Sequence, residues 1–264
     1  MRLRDHMTDT PRTAISRPLV VLPTYNEAEN IGEVLRRVRI ALASAEVLVV
    51  DDASPDGTAD LAAAAAAEVG GVHVLRRPGK AGLGSAYRAG FRWGLERGYD
   101  ALVEMDADLQ HDPADLPSLV GPLNDRADLV IGSRYVAGGS TPAWAWYRLQ
   151  LSRWGNRYAG FVLGLGVHDA TAGFRAYRAD LLRRIDLDAV RADGYGFQIE
   201  MCYAARGAGA EVVEVPIRFG DRQRGTSKMS SKIVVEALLL VTWWGFRDRV
   251  LRRRRRPEAI RNEP

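Results

Sequence analysis

Residues 17–52 read RPLVVLPTYNEAENIGEVLRRVRIALASAEVLVVDD, and this stretch decides the fold. RPLVVL is an apolar run ended by Pro23, the signature of a short buried strand. An amphipathic helix then follows from about Glu27 to Ala43, and VLVV (47–50) is again short and apolar throughout. Strand, helix, strand, with both strands continuously apolar, predicts a βαβ unit in a parallel sheet covered on both faces.

The same alternation continues outward. An alanine-rich helix follows Thr58, which reads as its N-cap. VHVL (72–75) is a third strand, and a helix spans roughly Gly82 to Arg97. ALVEM (101–105) and ADLVI (127–131) complete the strand set, with a helix from about Pro113 to Leu123 between them. Beyond residue 140 the pattern loosens: a helix near Tyr147–Leu165, a segment TAGFRAYR, a helix through GFQIEMCYAA, strand-like AEVVEVPIRF, then DRQRGTSKMSS, an apolar helix and an arginine-rich end.

Open α/β sheets bind ligands beyond the carboxyl ends of their strands. The polar motifs fall there: PTYNEAEN, DDASPDGT, DADLQHDP and GSRY each follow a strand. Four loops thus carry Glu27, Asp52, Asp106, Asp108 and Arg134 to one rim. Asp106 and Asp108, two apart at a bend, can reach one hard cation such as Mg²⁺ or Mn²⁺, with Gln110 as a neutral oxygen ligand. A cation there would stabilise a departing diphosphate as its charge grows. Asp52 suits a nucleotide's base edge or ribose, whereas Asp51 and SPDG read as turn structure. Arg222, Arg224 and Lys228 share one loop and suit phosphates, although an ordinary solvated loop has the same composition.

Other motifs exclude chemistries. GKAGLGSA (79–86) fits neither phosphate-loop fingerprint and reads as a flexible helix start near the donor. His6, His73, His111 and His168 have no zinc or triad spacing, and His111 reads as a neighbour that supports the Asp106 turn. The single cysteine, Cys202, reads as a buried inert thiol.

The chain has 264 residues, 47% of them hydrophobic and 27% charged, and a net charge of +4 concentrated in arginine groups. Arg148, Arg153 and Arg157 form one group; Arg247, Arg249 and Arg252 to Arg256 form the other. Residues 1–17 read as a flexible tail without a signal peptide. The apolar stretch Ile233–Phe246 is too short to cross a bilayer and contains Glu236. In Tyr147–Leu165 an aromatic and aliphatic stripe alternates with arginines, as in an interfacial helix, though a core-packing helix with a solvated face has the same pattern. Aromatics are not interleaved with the arginine run, so no nucleic acid is expected as a partner.

Together PTYNEAEN, DDASPDGT, EMDADLQHDP, IGSRYVAGGS, TAGFRAYR, GYGFQIEM and DRQRGTSKM resemble, in order, the polyprenyl-phosphate (dolichyl-phosphate) mannose synthases, inverting family 2 glycosyltransferases. The likeness covers roughly residues 18–232. It implies a glycosyltransferase-A fold, Rossmann-like with a mostly parallel sheet and helices on both faces, and a catalytic domain over 18–232 followed by interfacial helix and tail over 233–264. It implies transfer of mannose from GDP-mannose to a polyprenyl monophosphate. Carried across, Pro23, Tyr25, Glu27 and Asp52 would surround the guanosine. Asp106, Ala107, Asp108 and Gln110 would hold metal and diphosphate, and Arg222 and Lys228 would close on phosphates. Arg134 and Gln198 would face the acceptor. A phosphate monoester is largely dianionic near neutral pH, so no general base is expected. Some relatives carry two C-terminal transmembrane helices. This chain is expected to sit peripherally on the cytoplasmic face of the cell membrane or to borrow a membrane-anchor protein. A glucosyltransferase using UDP-glucose and a non-catalytic nucleotide-sugar binding protein remain as alternatives.

Overall fold

The computed structural model describes residues 12–221 and 231–254. Seven strands form one sheet: β1 (Pro18–Thr24), β2 (Glu46–Asp51), β3 (Val72–Arg76), β4 (Ala101–Glu104), β5 (Leu129–Ser133), β6 (Arg175–Arg178) and β7 (Val212–Pro216). Their order is β3-β2-β1-β4-β6-β5-β7. The pairs among β1 to β4 are parallel, as is β5 with β7, while β6 runs antiparallel to both β4 and β5.

Helices α1 (Ile31–Ala41), α2 (Thr58–Val69) and α3 (Leu83–Glu96) follow the first three strands. α4 (Leu116–Val120) follows β4, α5 (Trp146–Leu163) follows β5, and α6 (Ala179–Arg184), α7 (Gly194–Gly207) and α8 (Ser231–Arg254) complete the set. Alternate residues of each central strand feed two cores. Leu19, Val21, Leu48 and Val50 pack against Tyr87 and Phe91 of α3 on one face. Val20, Leu22, Val47 and Val49 pack against Val34, Leu35 and Val38 of α1 on the other.

Several expectations are corrected. The segment TAGFRAYR supplies β6, the antiparallel strand that welds the first sheet half to the second. The helix over 113–123 is three short pieces, with 3-10 turns at Pro113–Asp115 and Gly121–Asn124 around α4, because Pro122 has no N–H for a continuing helix. Thr58 is the first residue of α2, not its cap. Gly57, at φ 83°, turns the chain; Asp56 accepts the Thr58 N–H (3.1 Å), and the Thr58 hydroxyl accepts the Glu27 N–H (3.0 Å). Residues 12–17 are tied down rather than loose: Arg12 Nη1 donates to Ala127 O (3.1 Å), and Asp100 accepts the Ser16 N–H (2.7 Å). α8 is no separate appendage, since Ala237, Val241 and Trp244 join the core. No described helix is long and apolar enough to cross a membrane.

Candidate active site

All the strand-end loops named above open onto one cavity of about 420 Å³. Pro23, Tyr25, Glu27, Asp52, Asp106, Ala107, Asp108, Gln110, Arg134 and Gln198 line it. Arg222, Arg224 and Lys228 lie outside the described residues. So do the end of the arginine run and the first eleven residues.

The non-glycine residues with left-handed backbone, Asn26 (φ 58°), Ala53 (55°) and Leu109 (62°), each sit in a rim loop. Such strain persists where surrounding contacts over-determine the turn. The contacts are visible. Asn26 N donates to Ser54 Oγ (3.1 Å), Ala28 N to Asp56 Oδ2 (3.0 Å), and Asp51 accepts from Thr24 Oγ1 (2.9 Å) and Ser54 N (2.9 Å). Asp51 is therefore a brace between two loops. Asp52 accepts from Arg77 Nη1 (2.7 Å) and Ala81 N (3.0 Å), so it also anchors the loop leading into α3. Lys80 Nζ lies 4.1 Å from the centre of the Tyr25 ring.

That loop is not the flexible helix start expected from its glycines. Asp193 Oδ1 accepts the Gly84 N–H (2.6 Å), and a Cβ on Gly82, which stands at φ 91°, would lie 2.1 Å from Asp193 Oδ2. Asp193 thus caps α3 from a distant loop, and that loop is held by Glu200 Oε2, which accepts from Arg191 N (2.9 Å) and Ala192 N (2.8 Å).

Around the Asp106 turn, the Tyr87 hydroxyl donates to Asp106 Oδ1 (3.2 Å) and Asp108 Oδ1 accepts the Gln110 N–H (3.1 Å). His111 is buried between Phe174 and Phe219, and burial pushes its pKa down to about 4. It is therefore neutral, and its Nδ1 accepts the Asp106 N–H (3.3 Å). Gln110 Nε2 donates to Gly220 O (3.3 Å), and Gly220 N donates to Gln110 O (2.9 Å). The segment leading out of β7 is thereby fastened to the aspartate turn.

Arg134 is 5% exposed and chelated by fully buried Asp169, with Nε–Oδ2 at 2.7 Å and Nη2–Oδ1 at 2.6 Å. Its Nη2 also donates to Thr171 Oγ1 (2.8 Å). Burial alone would raise the Asp169 pKa, but the charge and hydrogen bonds of Arg134 outweigh it and hold the carboxyl below its usual range. Beneath the turn, burial pushes Glu104 up to about 7 against the opposing charge of Arg175. Arg175, also buried, donates to the carbonyls of Ala172, Gln198 and Ala170 (2.7–2.8 Å). Cys202 is buried, which raises its thiol pKa and leaves it inert.

Sequence reasoning missed Asp169, Asp193, Trp144, Tyr195, Thr171 and Gly173. Thr171 and Gly173 stand in TAGFRAYR and Tyr195 in GYGFQIEM, motifs whose quotation assigned them no role. It also misplaced Arg148, which turns inward instead of lying on the outer face of α5. Its guanidinium stacks 4.0 Å from the centre of the Trp144 ring. There it borders both the main cavity and a second, mainly apolar groove of about 90 Å³ between α5, α7 and α8.

An α/β rim that joins an Asp-x-Asp turn to strand-end loops of this kind fits a glycosyltransferase. The chain belongs to glycosyl transferase family 2, whose model matches residues 19–186. It is 52% identical over 239 residues to the polyprenol monophosphomannose synthase of Mycolicibacterium smegmatis, covering 90% of each chain. It is 55% identical over 233 residues to the undecaprenyl-phosphate mannosyltransferase of Micrococcus luteus, covering 88% of this chain and 96% of that one. Glucosyl-3-phosphoglycerate synthase from Mycobacterium tuberculosis, solved with Mn²⁺, UDP-glucose and phosphoglyceric acid, superposes with a TM-score of 0.64 at 20% identity, covering 88% of this chain and 80% of that one. The fold is thus the glycosyltransferase-A fold.

Proposed function

We propose that the protein transfers mannose from GDP-mannose to a polyprenyl monophosphate, releasing GDP with inversion at the anomeric carbon. The observation that carries this reading is the junction of the two cavities, where Trp144, Arg148, Thr171 and Tyr195 border both. A chamber bordered by Glu27, Asp52, Asp106, Asp108 and Arg134 opens there into an apolar groove suited to a prenyl chain. The relatives named for mannose transfer to polyprenyl phosphates support the sugar and the acceptor class.

Pro23, Tyr25, Glu27 and Asp52 surround the guanosine in this reading. Asp106 and Asp108 would hold a divalent cation, Mg²⁺ or Mn²⁺. Two carboxylates suit a cation that completes its shell with substrate phosphates, as Mg²⁺ commonly does. Ala107 lies between them and Gln110 contributes its amide oxygen. A cation held by these residues would supply stabilisation for the charge of the departing diphosphate. Arg222 and Lys228 meet the same phosphates. Arg134, with its charge balanced by Asp169, and Arg148 orient the acceptor phosphate. One acceptor oxygen attacks the anomeric carbon as the bond to the diphosphate breaks, and no protein base is required. Neutral His111 keeps the Asp106 backbone in place. The enzyme acts as a peripheral protein on the cytoplasmic face of the membrane, alone or with a membrane-anchor protein.

The test is transfer of radiolabel from GDP-mannose into a polyprenyl-phosphate lipid extract, with and without Mg²⁺ or Mn²⁺, beside UDP-glucose. Metal-dependent label from GDP-mannose in the lipid phase is expected. Label from UDP-glucose alone would overturn the donor assignment.

A further inference from the structure

Among the cavity-lining side chains, Gln198 of α7 is a buried amide that makes no hydrogen bond of regular geometry within the protein. The residue is 2% exposed, and neither Oε1 nor Nε2 has a hydrogen-bond partner of that kind. The Gln198 side chain does meet the Glu104 carboxyl, a hydrogen-bonding contact that helps to lower that group's pKa, though not at regular geometry. Glu104 does not line the cavity; Gln198 does. Buried amides without well-placed partners are costly, so a side chain in this state facing a chamber points to a ligand that completes it.

Gly173 fixes where that ligand lies. A Cβ built on it would stand 3.7 Å from both Asp106 Oδ2 and Gln198 Nε2, and 3.8 Å from His111 Cε1. The missing side chain leaves a hollow with the aspartate turn on one side and the amide on the other. In the proposed donor reading, a sugar attached to a phosphate held at Asp106 would come within reach of this hollow. An amide offers one acceptor and two donors, which matches hydroxyl groups. Asp106 Oδ2 is among the three nearest atoms, so a dianionic phosphate in the same hollow would meet a carboxylate.

Resting on the proposed donor reading, we infer that the Gln198 amide, above the hollow left by Gly173, binds a hydroxyl of the hexose being transferred and so determines which sugar is accepted. This assigns the residue to the sugar rather than to the acceptor. A site built to hydrogen-bond a hydroxyl discriminates strongly against an analogue lacking it.

The experiment compares GDP-mannose with its 2-, 3-, 4- and 6-deoxy analogues in the wild type, Gln198→Ala and Gly173→Ala. The wild type should lose roughly 10–100-fold in kcat/KM with the analogue lacking the bound hydroxyl, and in Gln198→Ala that ratio should collapse towards one. The Kd for GDP with Mn²⁺ and the acceptor KM should stay within about threefold, because neither contact is removed. Gly173→Ala meets its neighbours only at ordinary van der Waals distance, so it should fold, fill the hollow and lower kcat/KM for every hexosyl donor with GDP affinity retained. An unchanged deoxy ratio in Gln198→Ala, or an effect confined to the acceptor KM, would overturn the assignment. A bridging water as the amide's only partner would give that unchanged ratio. If the wild type used UDP-glucose instead, the donor reading would fail, and the same ratios with deoxyglucose donors would still decide the role of Gln198.

Discussion

At the residue scale the site rests on charges whose partners decide their use. Asp108 is buried, and its Oδ1 accepts the Gln110 N–H, a bond that shapes the turn. Asp108→Ala should cut transfer by on the order of 10²–10³-fold or more, with thermal unfolding nearly unmoved; near wild-type turnover would sink the metal role. Asp169 presents the opposite case. Asp169→Asn leaves the buried Arg134 guanidinium without its counter-charge and should cost about 3–5 kcal/mol in urea unfolding at pH 7. The folded pKa of Asp169 lies below the unfolded one, so its contribution is complete well above the unfolded value and is lost as pH falls through the folded value. The gap between wild type and variant should therefore be constant above about pH 5 and shrink below it. A gap that widened on acidification would show the sign to be wrong.

At the element scale, β1 to β5 and the loops after them were legible because their runs are short, apolar and bounded by turn residues. β6 was not. Two of its four residues, Arg175 and Arg178, are arginines that the structure buries, which neither alternation nor an apolar run would suggest. Arg175 is tolerated because three backbone carbonyls receive its donors. The inner half of the site was hidden for a related reason: Asp169 and Asp193 act across 35 and 109 residues of sequence, on Arg134 and Gly84. The α5–α8 pairing was equally invisible, since it depends on Gly245. A Cβ there would lie 2.3 Å from Val162 Cγ1. Gly245→Ala should lose about 1–3 kcal/mol to overpacking, set against roughly 1 kcal/mol of helix propensity. Adding Val162→Ala removes the colliding methyl, so the two substitutions should couple favourably by ~1 kcal/mol in a double-mutant cycle. Simple additivity would show that the helices do not meet there.

At the scale of the whole molecule, α5 and α8 carry an outward face that no element among the described residues covers. Trp146, Trp154 and Phe161 of α5 are 77%, 54% and 84% exposed, and Trp243 and Phe246 of α8 are 59% and 60% exposed. The expected stripe of α5 divides: Tyr158 and Val162 pack inward, while Leu151, Trp154 and Phe161 point away from the core. Arg153 and Arg157 are exposed beside them, and the apolar groove lies between the same two helices. Aromatic side chains flanked by arginines suit the boundary of an anionic bilayer, from which a prenyl chain would enter the groove while its phosphate meets Arg148. Burying a large apolar side chain contributes about 1.5–3 kcal/mol, so losing two half-exposed indoles should weaken vesicle binding at least roughly tenfold. Trp154→Ser combined with Trp243→Ser should therefore reduce co-sedimentation with phosphatidylglycerol vesicles by that factor or more. Turnover of a short-chain acceptor in detergent should stay within about threefold, because neither indole lines the main cavity. Unchanged sedimentation would remove this face from the membrane contact; an equal loss of detergent turnover would mean that the substitutions had disturbed the groove itself.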